Sequence, residues 1–130
     1  RARARATGAT LILISHDLWA VRSYSDQVAV MYGGRIVEHG PSAEVFASPR
    51  HPYTRALLAA TPGHERQGES LATIPGAASP LHGPSPGCAF APRCTLAQAG
   101  LCDVQRPILD FPSADRSLLC HRWRDTAGDA

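Results

Sequence analysis

Lysine is absent from the 130 residues, and all 13 basic side chains are arginine. With Ala, Gly and Pro abundant, this reads as a codon bias toward G and C rather than as selection for bidentate arginine contacts. The absence also excludes a phosphate loop of the GxxxxGKS/T type from this stretch, because that loop needs its lysine. Large apolar side chains are scarce: 44% of residues are hydrophobic, but 21 of them are Ala, so the core is expected to be thin. Long apolar runs are missing as well. Leu11 to Ile14 and Val28 to Tyr32 are the longest, far below the roughly 20 residues of a membrane helix, so no membrane span is expected. The basic start, Arg1 to Ala6, leads into only four large apolar residues and then Ser-His-Asp, which does not make a signal peptide. Charge of one sign is also lacking. A net charge of +2 leaves no electrostatic footprint for nucleic acid, which is disfavoured as a partner. The length fits about one domain and excludes a large multidomain enzyme.

Composition divides the chain. Residues 10–61 are periodic and apolar, residues 62–87 hold five Pro and five Gly, and all four Cys follow. The expected organisation is a folded segment over 1–61, a Pro/Gly-rich linker over 62–87, a small Cys-bearing module over 88–123 and a tail over 124–130. Arg1, Arg3 and Arg5 followed by Gly8 suit a helix end, with cations at the negative pole of the dipole and a glycine cap. Leu11 to Ile14 reads as a strand buried on both faces, the mark of a parallel sheet. No other run resembles its parallel partner, so the remaining strands are expected outside these residues. Asp17 can cap a helix from Leu18 to about Ser25. Val28 to Tyr32 and Arg35 to His39 read as strands joined by Gly33 and Gly34, a pair that accepts the positive φ of a two-residue hairpin turn. Pro41 and Ser42 open a helix to about Ala47. Pro52 opens another through Ala60, with Tyr53, Ala56, Leu57 and Ala60 on one face, and Pro62 stops it.

Two constellations carry chemistry. In the first, the apolar run ends in Ser15-His16-Asp17 before a helix. Ligands of open α/β sheets bind at the carboxyl ends of strands, and an imidazole there can donate to a phosphate oxygen or polarise a water. A lone His, however, is more often a satisfied structural residue. The second constellation is Cys88, Cys94, Cys102 and Cys120, spaced C-x5-C-x7-C-x17-C. Disulfides are disfavoured without a secretion signal. Zinc is open, although the short C-x2-4-C knuckles of structural zinc sites are absent. A four-iron cluster, which needs one Cys per iron and tolerates irregular spacing, is open too. The apolar residues between Gly87 and Trp123 are few, so metal binding could supply missing folding free energy. Arg93 and Arg122 could offset thiolate charge, and His121 could replace a ligand.

Leu11 to Leu18, followed by "DQVAVMYGGRIVEHGPSAEVFASPRHPYTRALLAATP" and later "GCAFAPRC", resembles the end of an ABC transporter ATPase domain. More narrowly, it resembles the C-terminal region of the dipeptide, oligopeptide and nickel importers. The resemblance covers Thr10 to about Trp123. It implies an α/β fold: a truncated C-terminal end of a P-loop ABC ATPase, followed by a small Cys-rich metal-binding module. His16 would be the switch His that contacts the γ-phosphate, a catalytic and cofactor-binding role. Cys88, Cys94, Cys102 and Cys120 would be ligands of a 4Fe-4S cluster, with zinc as the alternative. The intact subunit would use ATP and Mg. Its partners would be the remainder of the ATPase domain, a second ATPase subunit and transmembrane permease subunits, at a cytoplasmic position on the inner face of the membrane. His51, Pro52 and Tyr53 would dock or pack rather than catalyse. Three parts of the family pattern are missing: the phosphate loop, an LSGGQ-like signature and an apolar run ending in Asp-Glu. Phosphoryl transfer needs these groups, so the stretch is expected to be inactive by itself. A rival reading is a stand-alone metal-binding interaction module.

Overall fold

The computed structural model describes residues 6–61, 72–77 and 85–126. Helical backbone at Ala6 and Thr7 ends at Gly8, whose φ of 66° is the left-handed cap expected there. The apolar run Leu11 to Ile14 corrects the parallel-strand expectation. It forms no strand, and its side chains are 65, 82, 44 and 93% exposed. A strand needs a neighbour to take its backbone groups, and every strand pair among the described residues is antiparallel and lies elsewhere.

Helix α1 (Leu18–Tyr24) begins at Asp17, whose carboxylate accepts the amides of Trp19 and Ala20 at 2.9 and 3.1 Å. Strands β1 (Gln27–Tyr32) and β2 (Arg35–Pro41) form the expected hairpin, in register from Tyr32 opposite Arg35 to Gln27 opposite Pro41, with one irregularity at Val30/Met31. Gly33 and Gly34 take φ of 58° and 75°. Positive values at both central residues define the turn whose twist matches the strands. Helix α2 (Ser42–Ala47) follows and buries Val45. Helix α3 (Pro52–Ala59) starts with its proline in the first turn, as expected, but presents a different face: Thr54 and Leu58 are buried, while Tyr53, Ala56 and Leu57 are half-buried. The pair four residues apart stands on one side of the helix, and the docking of its first turn turns that side inward.

The second half adds structure that periodicity did not reveal. Strands β3 (Asp110–Ser113) and β4 (Arg116–Leu118) make a short hairpin. β4 pairs with β2 through Glu38 opposite Leu118 and His39 opposite Ser117, giving one four-stranded sheet in the order β1-β2-β4-β3. The sheet therefore joins the first segment to the Cys segment. Pro112 lies on the edge strand, where a missing amide costs no ladder bond. The core is as thin as the composition implies: Val28, Val37, Val45, Leu58, Phe90, Leu118 and Trp123 carry it, with Leu118 fully buried. A 3-10 turn at Trp123–Thr126 packs Trp123 beneath the Arg50 and Arg124 guanidinium groups, 5.3 and 4.4 Å from the ring centre. Thr126 Oγ1 donates to the Arg50 carbonyl at 2.9 Å. Residues 1–5, with the Arg1, Arg3 and Arg5 of the expected helix end, and residues 62–71, 78–84 and 127–130, which hold most of the expected linker and the end of the tail, lie outside the described residues. No helix among the described residues is long and apolar enough to cross a membrane.

Candidate functional site

The four cysteines, spread over 33 positions of sequence, border one small cavity. Local hydrogen bonds place them. The amide of Cys88 donates to the Cys102 carbonyl at 2.8 Å, tying the first thiol to the third. The Cys88 carbonyl accepts from Ala91, opening the 3-10 turn Ala91–Arg93 that delivers Cys94. The carbonyl of Gln98 accepts from Leu101 and Cys102. Cys120 enters two residues after β4. All four are free thiols.

Each sulfur faces backbone amides. Cys120 Sγ accepts from Arg122 at 3.3 Å and Cys102 Sγ from Gln98 at 3.4 Å. The amides of Phe90 and Ala91 face Cys88, and that of Leu96 faces Cys94. Amides aimed at sulfur favour thiolate, but burial outweighs them at three of the positions. It raises Cys88 and Cys94, and it pushes Cys120 up to about 12, the other three thiols adding to the rise. These are groups that need a cation before they ionise near neutral pH. As placed, no three His, Cys, Asp or Glu donors among the described residues form a set that could hold a metal ion.

The neighbouring side chains divide by function. Arg122 raises no barrier to thiolate: its charge favours the ionised form of Cys94, and it is held by Gln98 Oε1 at 2.8 Å and by the Asp125 carboxylate. Arg93 turns away. Its Nε and Nη2 donate to the carbonyls of Pro75 and Ile74 at 2.8 and 3.3 Å, tethering residues 72–77. His121 Nε2 donates to the Gln105 carbonyl at 3.0 Å, which leaves the lone pair on Nδ1, and the ring borders the same small cavity. A larger cavity of about 580 Å³, mostly apolar, shares Cys88 and Cys102 with the small one and gives an approach to the thiols.

Two residues without a motif of their own hold the site to the sheet. Glu38, fully buried on β2, accepts from the amides of Arg50 and His51 at 2.9 Å and from Arg116 Nη2 at 2.5 Å. Its carboxylate thereby fixes the start of α3 and binds β2 to β4. Phe90, only 2% exposed, packs against Tyr32, Tyr53 and His51, with ring centres 5.1, 5.3 and 6.1 Å away. That aromatic cluster seats the Cys88 turn on α3, and it gives Tyr53 the packing role expected of it. A charged residue at a core position of β2 was the available signal for Glu38, and the single Phe between Cys88 and Cys94 the signal for Phe90.

His51 caps α3 through Nδ1, which accepts the Tyr53 amide at 3.0 Å. Burial lowers its pKa to about 4, against a smaller raising effect of Glu38. The ring is therefore neutral in the fold. Its stabilising contribution is complete above pH 6.5 and declines as the pH falls toward 4. At 1.36 kcal/mol per unit, about 3 kcal/mol is the upper bound on that loss. Denaturant unfolding at pH 7 and pH 4 is expected to show the native chain losing more stability than His51→Asn, which keeps a cap but has nothing to titrate.

His16 stands apart from the cavity. It lies exposed in the bend before α1, where Ser15 Oγ accepts the Asp17 amide at 2.9 Å.

Comparison with known proteins gives a consistent set. Residues 37–102 match the family described as the oligopeptide/dipeptide transporter, C-terminal region. A peptide import ATP-binding protein of Brucella ovis is 41% identical over 127 residues, covering 93% of this chain and 37% of the relative. Another peptide import ATP-binding protein, from Brucella abortus, is 47% identical over 102 residues, covering 78% of this chain and 30% of the relative. The chain thus spans about a third of the length of the curated relatives it matches.

Proposed function

The chain belongs to the oligopeptide/dipeptide transporter C-terminal region family, and from that premise we propose that it serves as the C-terminal part of the ATP-binding subunit of an ABC peptide importer. The observation that carries this reading is the family match over 37–102 together with relatives named as peptide import ATP-binding proteins. In the intact subunit, His16 at the turn before α1 contacts the γ-phosphate of ATP, Mg completes the nucleotide site, and closure of two ATPase subunits drives the permease. The subunit then sits peripherally on the inner face of the membrane, and the cargo is peptide or nickel. The 130 residues contain no phosphate-loop lysine, so by themselves they neither bind ATP tightly nor turn it over. An ATPase assay on the chain by itself, beside the same chain continuous with an upstream phosphate loop and signature, tests this. Turnover by the chain alone overturns the reading, and turnover only in the longer protein supports it.

The Cys segment, residues 88–123 after the 62–87 linker, is proposed as a metal-organised module. Cys88, Cys94, Cys102 and Cys120 border one cavity as free thiols, each facing a backbone amide. As placed the four sulfurs form no set that could hold a single ion; drawn together, they would serve a group bound by four thiolates. A single zinc draws its ligands to one point about 2.3 Å from each sulfur, whereas a four-iron cluster gives each sulfur its own iron. The irregular spacing C-x5-C-x7-C-x17-C, without short knuckles, is what favours the 4Fe-4S cluster in this proposal, with zinc as the alternative. When bound, such a centre supplies charge that neutralises the thiolates and folding free energy for a segment with few large apolar residues. The chain's own amides and Arg122 favour the thiolate form. Because burial raises the thiols, metal uptake is expected to release protons and to weaken as pH falls. Titration in weak buffer checks this, and Cys→Ser variants at the four positions should abolish the proton release.

A further inference from the structure

Cys88 and Cys102 are set apart from the other two thiols by their backbones. The Cys88 amide donates to the Cys102 carbonyl at 2.8 Å. Standard bond lengths on either side of that contact keep the two Cα atoms within about 6.7 Å of each other, inside the roughly 4.4–6.8 Å that a disulfide spans. Gly87 permits the approach, because any Cβ there would stand 2.4 Å from the Cys102 carbonyl oxygen. The two side chains also open onto the same spaces. Both border the small cavity, and of the four thiols only these two line the larger one as well. The charge of Cys102 is felt at Cys88. Cys94 and Cys120 have no such tie: among the described residues, neither shares a backbone hydrogen bond with another cysteine.

We propose that Cys88 and Cys102 form a reversible dithiol–disulfide pair, a redox switch that closes the loop between them. The oxidant is a low-molecular-weight disulfide, RS–SR, and the larger cavity is its approach. Cys88 is half-buried and Cys102 buried, so Cys88 meets the oxidant first. It gives up its proton and attacks one sulfur of RS–SR; that S–S bond breaks and RS⁻ leaves. Cys102, its own proton lost, then attacks the Cys88 sulfur, the second RS⁻ leaves, and the Cys88–Cys102 bond closes. Two thiols are oxidised, one external disulfide is reduced, and the two protons end on the two RS⁻. The pair needs no metal and works whether or not the four thiols serve one. Its oxidation withdraws two of the four thiols from any donor set, and reduction returns them.

The test uses the full 130-residue chain, reduced and then equilibrated with glutathione buffers of rising oxidised fraction. Digestion without reductant, followed by tandem mass spectrometry, reads the pairing. The expected product is an intramolecular Cys88–Cys102 bond, seen as a loss of two hydrogens from the chain and reversed by dithiothreitol. A bond from either residue to Cys94 or Cys120 overturns the proposal. So does a native chain that stays reduced, or stops at glutathione adducts, in oxidised glutathione alone. Among variants, Cys102→Ser should stop at a glutathione adduct on Cys88, while Cys94→Ser and Cys120→Ser should close the bond as the native chain does. Loss of the bond in a folded Cys94→Ser or Cys120→Ser chain also overturns the proposal. Where a variant does not fold, the pairing mapped in the native chain decides.

Discussion

Replacing Glu38 by Ala is expected to destabilise the fold by about 3–5 kcal/mol, the range seen when one partner of a buried ion pair is removed. The reason is what the carboxylate leaves behind. Arg116, 4% exposed, would keep its charge with only the Ser48 carbonyl, 2.5 Å from Nη2, as a partner, and its Nε already lacks one. The amides of Arg50 and His51 would lose their acceptor at the same time. Glu38→Gln keeps the shape but replaces one acceptor oxygen by an NH2 that faces a donor, so it should fall between the native chain and Glu38→Ala. Adding Arg116→Met to Glu38→Ala should recover part of the loss, because the orphaned charge is then gone. Urea unfolding of the four chains checks the ordering. A Glu38→Ala chain within about 1 kcal/mol of native, the worth of an exposed pair, would refute the role given to Glu38.

Gly87→Ala is expected to abolish the four-thiol site. A Cβ at this position would stand 2.4 Å from the Cys102 carbonyl oxygen and 2.5 and 2.6 Å from the Asp103 carbonyl group. These are backbone atoms, so no side-chain rotation relieves the clash. Overpacking a rigid site costs about 1–3 kcal/mol and occasionally more, and the rigid neighbour here places the change at the upper end. The damage also falls on the adjacent bond from the Cys88 amide to Cys102 that unites two of the four thiols. The near-ultraviolet circular dichroism of the purified variant should drop, as should uptake of the metal proposed above. Gly100→Ala is the control, since its φ of 76° strains the backbone but its Cβ meets nothing within 4 Å. It should lose stability and keep the four thiols around one cavity.

Sequence made the local elements legible wherever one short signal decided them. Asp17 caps α1, Gly33-Gly34 turns the hairpin, and Pro52 starts α3, each as its chemistry requires. Apolar content misled at Leu11 to Ile14, since hydrophobic residues report burial only when something is there to bury them. The β3–β4 hairpin was invisible because its strands are short and mixed: Phe111 is exposed and Arg116 buried, which reverses the usual pattern. Its stability comes from pairing with β2 and from Glu38, which no window of sequence contains. The four cysteines were legible as a set, and the structure brings them to one cavity. Pro52 was legible as a helix start, but the cap that His51 Nδ1 provides by accepting the Tyr53 amide was not.

The sheet order has a consequence for synthesis. Glu38 and Arg116 are 78 positions apart, yet their strands are neighbours in the sheet. At about 5–20 residues per second on the ribosome, β2 waits roughly 4–16 s for the strand that covers its edge. During that interval a hairpin with Val37 and a charged Glu38 on the open side stands ready to pair with another chain. The acidic side chain that later anchors β4 thus also guards the nascent edge against the wrong neighbour.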